Sequence, residues 1–156
     1  MALKISTGLR NALLDTGDLK TTLDGGFIHI YSGSPPATPD EAITGTLLAT
    51  IYSDGGTANA GLNFATSASE GVIQKASAEV WDNNVAGNIA GGLATHYLHV
   101  GSAESDGTAI GASTTAPRIL GTVALAGGDM DLANTTLVSS ETQTINFYSI
   151  ALPESC

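Results

Sequence analysis

A chain of 156 residues with 42% hydrophobic residues is long enough for one domain with its own core, since a chain of this size buries roughly two-thirds of the surface exposed when unfolded. Fifteen acidic residues against five basic ones give a net charge of −10, which opposes nucleic-acid binding and an anionic membrane surface alike, because both need Lys and Arg. A single cysteine, Cys156, excludes a disulfide framework within the chain, and no stretch reaches the roughly 20 apolar residues of a membrane-spanning helix.

The opening Met1–Gly8 carries no apolar run of the signal-peptide kind, so a product made in the cytoplasm is expected. Ile5, Leu9, Ala12 and Leu13 then recur at helical spacing, with Ser6 or Thr7 as N-cap and Gly17 as the stop. A second short helical piece is expected with Asp18 as cap and Leu19 and Leu23 on one face, before Asp24-Gly25-Gly26 turns the chain. From Phe27 onward β-branched and aromatic residues alternate with turn residues. Strands are expected at Phe27–Tyr31, Thr46–Tyr52, Leu62–Ala65, Gly71–Ala76, Ala78–Trp81, Ala94–Val100, Ile119–Leu125, Thr135–Val138 and Thr142–Ile150. The last of these reads as half-buried, with Thr144, Asn146 and Tyr148 on one side and Ile145, Phe147 and Ser149 on the other. The Pro/Thr/Asp-rich loop up to Glu41 is expected at the surface, and Gly101–Thr115 has almost no apolar residue to anchor it. Asp54-Gly55-Gly56 and Asp106-Gly107 read as tight turns.

Short strands with no helices between them mean antiparallel sheets rather than βαβ units. The expected fold is all-β, an antiparallel, jelly-roll-like β-sandwich with a short N-terminal helical segment. Residues 1–26 form a helical arm and residues 27–156 a single sandwich domain. Leu3, Ile5, Leu9, Leu13, Leu19 and Leu23 line apolar stripes on pieces too short to be stable alone. Their own sandwich or a neighbouring subunit would cover them. The neighbour is the expectation, which makes the six a candidate subunit interface.

Signals for chemistry are thin. His96 and His99 lie three apart on a strand and so point to opposite faces, where they cannot clamp one ion; one is expected in the core and the other at the surface. Nothing in the sequence pairs His29 with either. Asp129-Met130-Asp131 offers two carboxylates but lacks the alternating oxygen ligands and closing Glu of a calcium loop, so a solvated turn is expected. No nucleophile elbow, phosphate loop or dinucleotide fingerprint is present. Asn134-Thr135-Thr136 matches a glycosylation acceptor but reads as a turn entering a strand. Cys156 has no neighbouring base or cation to activate it. Tyr31, Tyr52, Phe64, Tyr97, Phe147 and Tyr148 are expected to pack in the core and at sheet edges rather than to form a sugar platform. Hence no catalytic residue, no cofactor and no metal are expected, and the protein is not expected to be an enzyme.

Three blocks carry a family resemblance: Lys4–Leu14 (KISTGLRNALL), Leu23–Pro36 (LDGGFIHIYSGSPP) and Thr44–Ala49 (TGTLLA). The tail, Asp131–Val138 (DLANTTLV) with Gln143–Pro153 (QTINFYSIALP), adds to it. Together they resemble short virion structural proteins of tailed bacteriophages, with a looser likeness from Thr66 to Arg118. The resemblance implies a capsid decoration, or cement, protein on the capsid exterior. Its expected partners are the major capsid protein and further copies of itself, with no nucleic acid and no membrane. It carries over no active site. The alternative is a tail- or fibre-associated module binding a receptor or glycan.

Overall fold

A computed structural model describes residues 3–15, 17–53, 60–83, 87–104 and 110–152. In chain order they form β1 (Lys4–Ile5), α1 (Thr7–Asp15), α2 (Leu19–Leu23), β2 (Phe27–Tyr31), β3 (Leu47–Ser53) and β4 (Val72–Gln74). There follow β5 (Trp81–Asp82), β6 (Gly92–Leu93), β7 (His96–Val100), β8 (Arg118–Ala124), β9 (Met130–Asp131), β10 (Thr136–Leu137), β11 (Thr144–Ile145) and β12 (Ser149–Ala151). The fold is all-β apart from the two short helices, as expected. The turns at Asp54-Gly55-Gly56 and Asp106-Gly107, and Cys156, lie outside the described residues.

Both helices begin on side-chain caps. Ser6 is the cap of α1: its hydroxyl oxygen accepts the Leu9 N–H at 3.0 Å, which satisfies one of the donors a helix start leaves open. Gly17 closes the other end, its N–H donating to the Ala12 carbonyl at 2.9 Å. Asp18 caps α2 through the Thr21 N–H at 2.8 Å. Gly8 is needed where α1 crosses the 113–117 loop, since a Cβ there would sit 2.3 Å from the Thr115 carbonyl oxygen.

The segment read from sequence as an arm adds β1 to the sheet, with Lys4 opposite Leu120 and Ile5 opposite Ile119. Of its six candidate interface residues, Leu9 and Leu23 are fully enclosed in the chain's own core, while Leu13 and Leu19 pack partly buried against it. For these four the chain's own core supplies the cover, the other of the two coverings the sequence left open. Burying a leucine side chain contributes about 1.5–3 kcal/mol, and two helices too short to stand alone need that contact within their own domain. Leu3 and Ile5 remain 41% and 38% exposed.

The main sheet has eight strands in the path β1-β8-β7-β2-β3-β5-β11, with β9 also on β8. Every pair is antiparallel except β8–β9, where Val123 lies opposite Met130 in parallel. β10 with β6, and β12 with β4, form two short ribbons. The centre of the sheet is the pair β2–β7, with Tyr31 opposite His96, His29 opposite Leu98 and Phe27 opposite Val100. A bulge between Ile30 and Tyr31 shifts the register on β3. Every residue of β2 and β7 is buried, so both faces of the sheet are covered. Ile28, Ile30, Tyr97 and Ile119 face a core shared with Leu9, Leu23, Phe64, Trp81 and Tyr148. Phe27, Tyr31, Leu98, Val100 and Leu120 face a smaller cluster closed by Ile110 and Ile43.

Some sequence expectations shift. The long strand expected at Thr142–Ile150 divides into β11 and β12, because the alternation slips: Ile145 and Tyr148 are both buried, while Phe147 between them is 70% exposed. Leu62–Ala65 makes only isolated bridges, Leu62 to Gly26 and Phe64 to Lys75. The loop before Glu41 is not wholly at the surface, since Pro39 is buried. The 101–115 loop does find an apolar anchor in Ile110.

Candidate functional site

His96 and His99 do point to opposite faces of β7, but neither reaches the surface. Both are fully buried because both faces of this strand are covered, which corrects the expectation of one exposed ring. His96 stacks on Tyr31 at 5.4 Å between ring centroids and contacts the Thr95 hydroxyl through Nδ1 at 2.9 Å. That hydroxyl donates its only proton to the Gly33 carbonyl at 2.7 Å, so Nδ1 of His96 carries the shared hydrogen and Nε2 the lone pair. On the other face, Nδ1 of His99 meets the Tyr148 hydroxyl at 3.2 Å, among Phe64 and Tyr148 rings. His29, also fully buried, meets the Thr50 hydroxyl at 3.0 Å through Nδ1. Burial pushes the Tyr97 hydroxyl up to about 12 and that of Tyr148 well above its usual value. The three imidazoles and the Tyr97 side chain lie inside the fold.

A second polar cluster holds the loops over the Tyr31 face. Arg118, 1% exposed, makes a two-pronged pair with Glu104 at 2.7 and 3.0 Å. It also donates to the Pro39 and Gly111 carbonyls at 3.1 and 2.9 Å. One planar guanidinium thus ties the 32–46 and 101–117 loops to the start of β8. Asp40 extends the link to α1 by accepting from the Thr7 N–H and hydroxyl at 2.9 and 2.6 Å. The Thr7 hydroxyl is the main cause that holds the Asp40 carboxyl below the ordinary 3.8. A third cluster pins β5 to the 138–143 segment. The buried Asn83 accepts from the Gln143 N–H at 2.6 Å and donates to Asn88 at 2.7 Å, and Asn88 donates to the Val138 carbonyl at 2.7 Å.

The carboxylates of Asp129 and Asp131 are spent on their own turn. Asp129 accepts from the Thr122 N–H and hydroxyl, both at 2.8 Å, and Asp131 from the Gly128 N–H at 2.9 Å. They form the hook that brings β9 parallel to β8, and they border an open cleft of about 430 Å³ beside the exposed Phe147 ring. A second open cleft, about 360 Å³ and mostly apolar, lies between Leu19, Ile73, Ile150 and Leu152. Asn134 accepts from the Thr136 N–H at 2.9 Å, the turn expected there. Among the described residues no group of three or more His, Cys, Asp or Glu is placed to hold a metal ion, and no helix is long and apolar enough to cross a membrane.

No family model, curated protein or solved structure matches this chain.

Phe27, Tyr31, Phe64, Tyr97 and Tyr148 lie in the core and Tyr52 at its edge, as expected, with Trp81 fully buried beside them. Phe147 departs from this, its ring turned outward. Sequence reasoning missed the Arg118 clamp. Its signal was a lone cation directly before the apolar run Ile119–Leu120, and a charge opening a buried strand needs a partner. The Asn83–Asn88 pin left no comparable signal, because Asn is common in turns.

Proposed function

We propose that this protein is a non-enzymatic virion structural component, a capsid decoration protein that binds between major capsid subunits, works as a homo-oligomer, and stabilises the DNA-filled head. The observation that carries this reading is where the domain spends its side chains. Its histidines lie inside, whereas Leu14, Phe147, Leu125 and Leu152 are 88%, 70%, 65% and 60% exposed. Such a surface favours contact over a reaction centre. The family resemblance of the Lys4–Leu14 and Leu23–Pro36 blocks supports the same reading, as does a net charge of −10, which suits a position away from packaged DNA. A jelly-roll sandwich, the finer form of the fold, belongs to this proposal; antiparallel pairing and a sheet covered on both faces support it.

A lattice-binding oligomer gains avidity from several weak contacts and stabilises what it binds by mass action. Particles with and without the protein are to be compared for DNA retention during heating, alongside its copy number per particle. Hundreds of copies and earlier DNA loss from depleted particles are expected. A handful of copies with unchanged retention would favour the tail- or fibre-associated receptor or glycan module. One observation speaks for that alternative: the exposed Phe147 ring borders an open cleft, and an exposed aromatic face suits a sugar.

A further inference from the structure

We propose that β7 is an acid-operated release element: proton uptake by His96 on one face and His99 on the other loosens both coverings of the central sheet together. This rests on the fold alone and not on the virion reading. Both rings are fully buried on one five-residue strand, at its first and fourth positions. Nε2 of each has no hydrogen-bond partner among the described residues. A protonated imidazole is a donor at both nitrogens, so each cation would place an unsatisfied N–H and a full charge in the core.

Among the described residues neither ring has a counter-charge beside it. His96 faces Tyr31 from β2, Thr95 beside it, and the 32–46 loop, where a Cβ on Gly45 would come within 3.2 Å of its Cε1. His99 faces Tyr148 and Phe64, while His29 lies across the sheet on the His96 face, beside Phe27 and Tyr31. Beyond this first ring, Arg118 and Glu104 act on Tyr31 as a mutually paired couple, and Asp129 acts on Tyr97. Burial therefore holds His96 down to about 4, and burial with the like charge of His29 holds His99 down to about 3.

The sign follows from linkage. In the unfolded chain both rings bind protons below the ordinary 6.5, while in the folded chain they stay neutral to about 4 and about 3. Stability is thus intact above pH 6.5, declines as pH falls below it, and continues to decline until the folded values are reached. The carboxylates held low, Asp18 and Asp40, act only near and below their ordinary 3.8, which leaves pH 5 to 6.5 to the histidines.

The test is urea unfolding of the intact protein from pH 7.5 to 4.5. The folding equilibrium constant should fall roughly a hundredfold per pH unit below about pH 5.5, the signature of about two protons taken up on unfolding, and should recover on return to pH 7. A constant that stays flat from pH 7 to 5 overturns the proposal. The double variant His96→Phe, His99→Phe should flatten the slope, and an unchanged slope would place the protons elsewhere. NMR titration of the wild-type imidazole C–H signals supplies a reading that needs no variant. Two rings neutral to pH 5 in the folded protein support the proposal, and titration of His96 and His99 near 6.5 in the folded state sinks it.

Discussion

On one face of the β2–β7 pair, Trp81, Tyr148, Phe64, Ile73, Leu9 of α1 and Leu23 of α2 build a cover out of apolar side chains. On the other, residues 32–46, 101–104 and 110–117 do the covering, and among these described residues the apolar contribution is little more than Ile43 and Ile110. What those loops lack in hydrophobic contact they replace with fixed polar geometry: Arg118 to Glu104, Pro39 and Gly111, and Asp40 to Thr7. The Ile43 N–H adds a bond to the Ile110 carbonyl at 3.0 Å and the Ser113 N–H one to the Asp40 carbonyl at 2.8 Å, so the two loops also hold each other. Apolar packing tolerates redistribution, since neighbouring side chains relax into a small defect. A single guanidinium with four acceptor atoms does not. The two covers should therefore fail differently.

The largest effect is expected at the clamp. Arg118→Ala leaves Glu104 without its partner and two loop carbonyls without their donor, a loss of about 3–5 kcal/mol. Its mark should be proteolytic cleavage in the 32–46 and 101–117 loops at temperatures where the opposite face is still protected from hydrogen exchange. Cleavage spread evenly over the chain would erase the distinction between the faces.

On the apolar side, Leu23→Ala opens a cavity at a fully buried site and should cost about 2–4 kcal/mol by urea denaturation. Here the loss should appear as a lower global midpoint with no new cleavage in the loops. Asn83→Ala removes an acceptor from the Gln143 N–H and a donor from Asn88, for about 1–3 kcal/mol, and should free the exchange of the 138–143 amides first.

The smallest effect belongs to Asp40→Asn, and its pH dependence is the useful part. A carboxyl held below 3.8 in the folded state contributes stability above that value and loses it as pH falls through the folded value. The variant should melt below wild type at pH 7, and the gap should narrow as pH falls below 3.8. A gap independent of pH would mean that Asp40 matters for shape rather than charge.

The parts of the fold that read clearly from sequence are those whose local chemistry and burial agree. Phe27–Tyr31 is a strand in both readings, and Asp18 and Gly17 mark helix ends by a mechanism that acts within a few residues. Leu9 and Leu23 were legible as apolar stripes but not in what covers them, because the partner surface comes from strands distant in sequence. His96 and His99 were legible as a pair on opposite faces. Their burial was not, since it depends on loops with few apolar residues closing over the sheet. The slip between Ile145 and Tyr148 left no trace either, because period-two alternation continues through the residues where the chain turns.

Ser6 has a further consequence, for the order in which the molecule comes together. Its hydroxyl serves the start of α1 and, at the same time, the Arg118 N–H and the Ala116 carbonyl, partners 112 and 110 residues away in the chain. The cap itself is local, but the first strand waits on residues in the last third of the sequence. On a growing chain residues 4–6 emerge well before residues 116–120 and are completed late. Pairing across such separations pays loop-closure entropy before any contact returns it, which places folding toward the slow, millisecond-to-second end of the range.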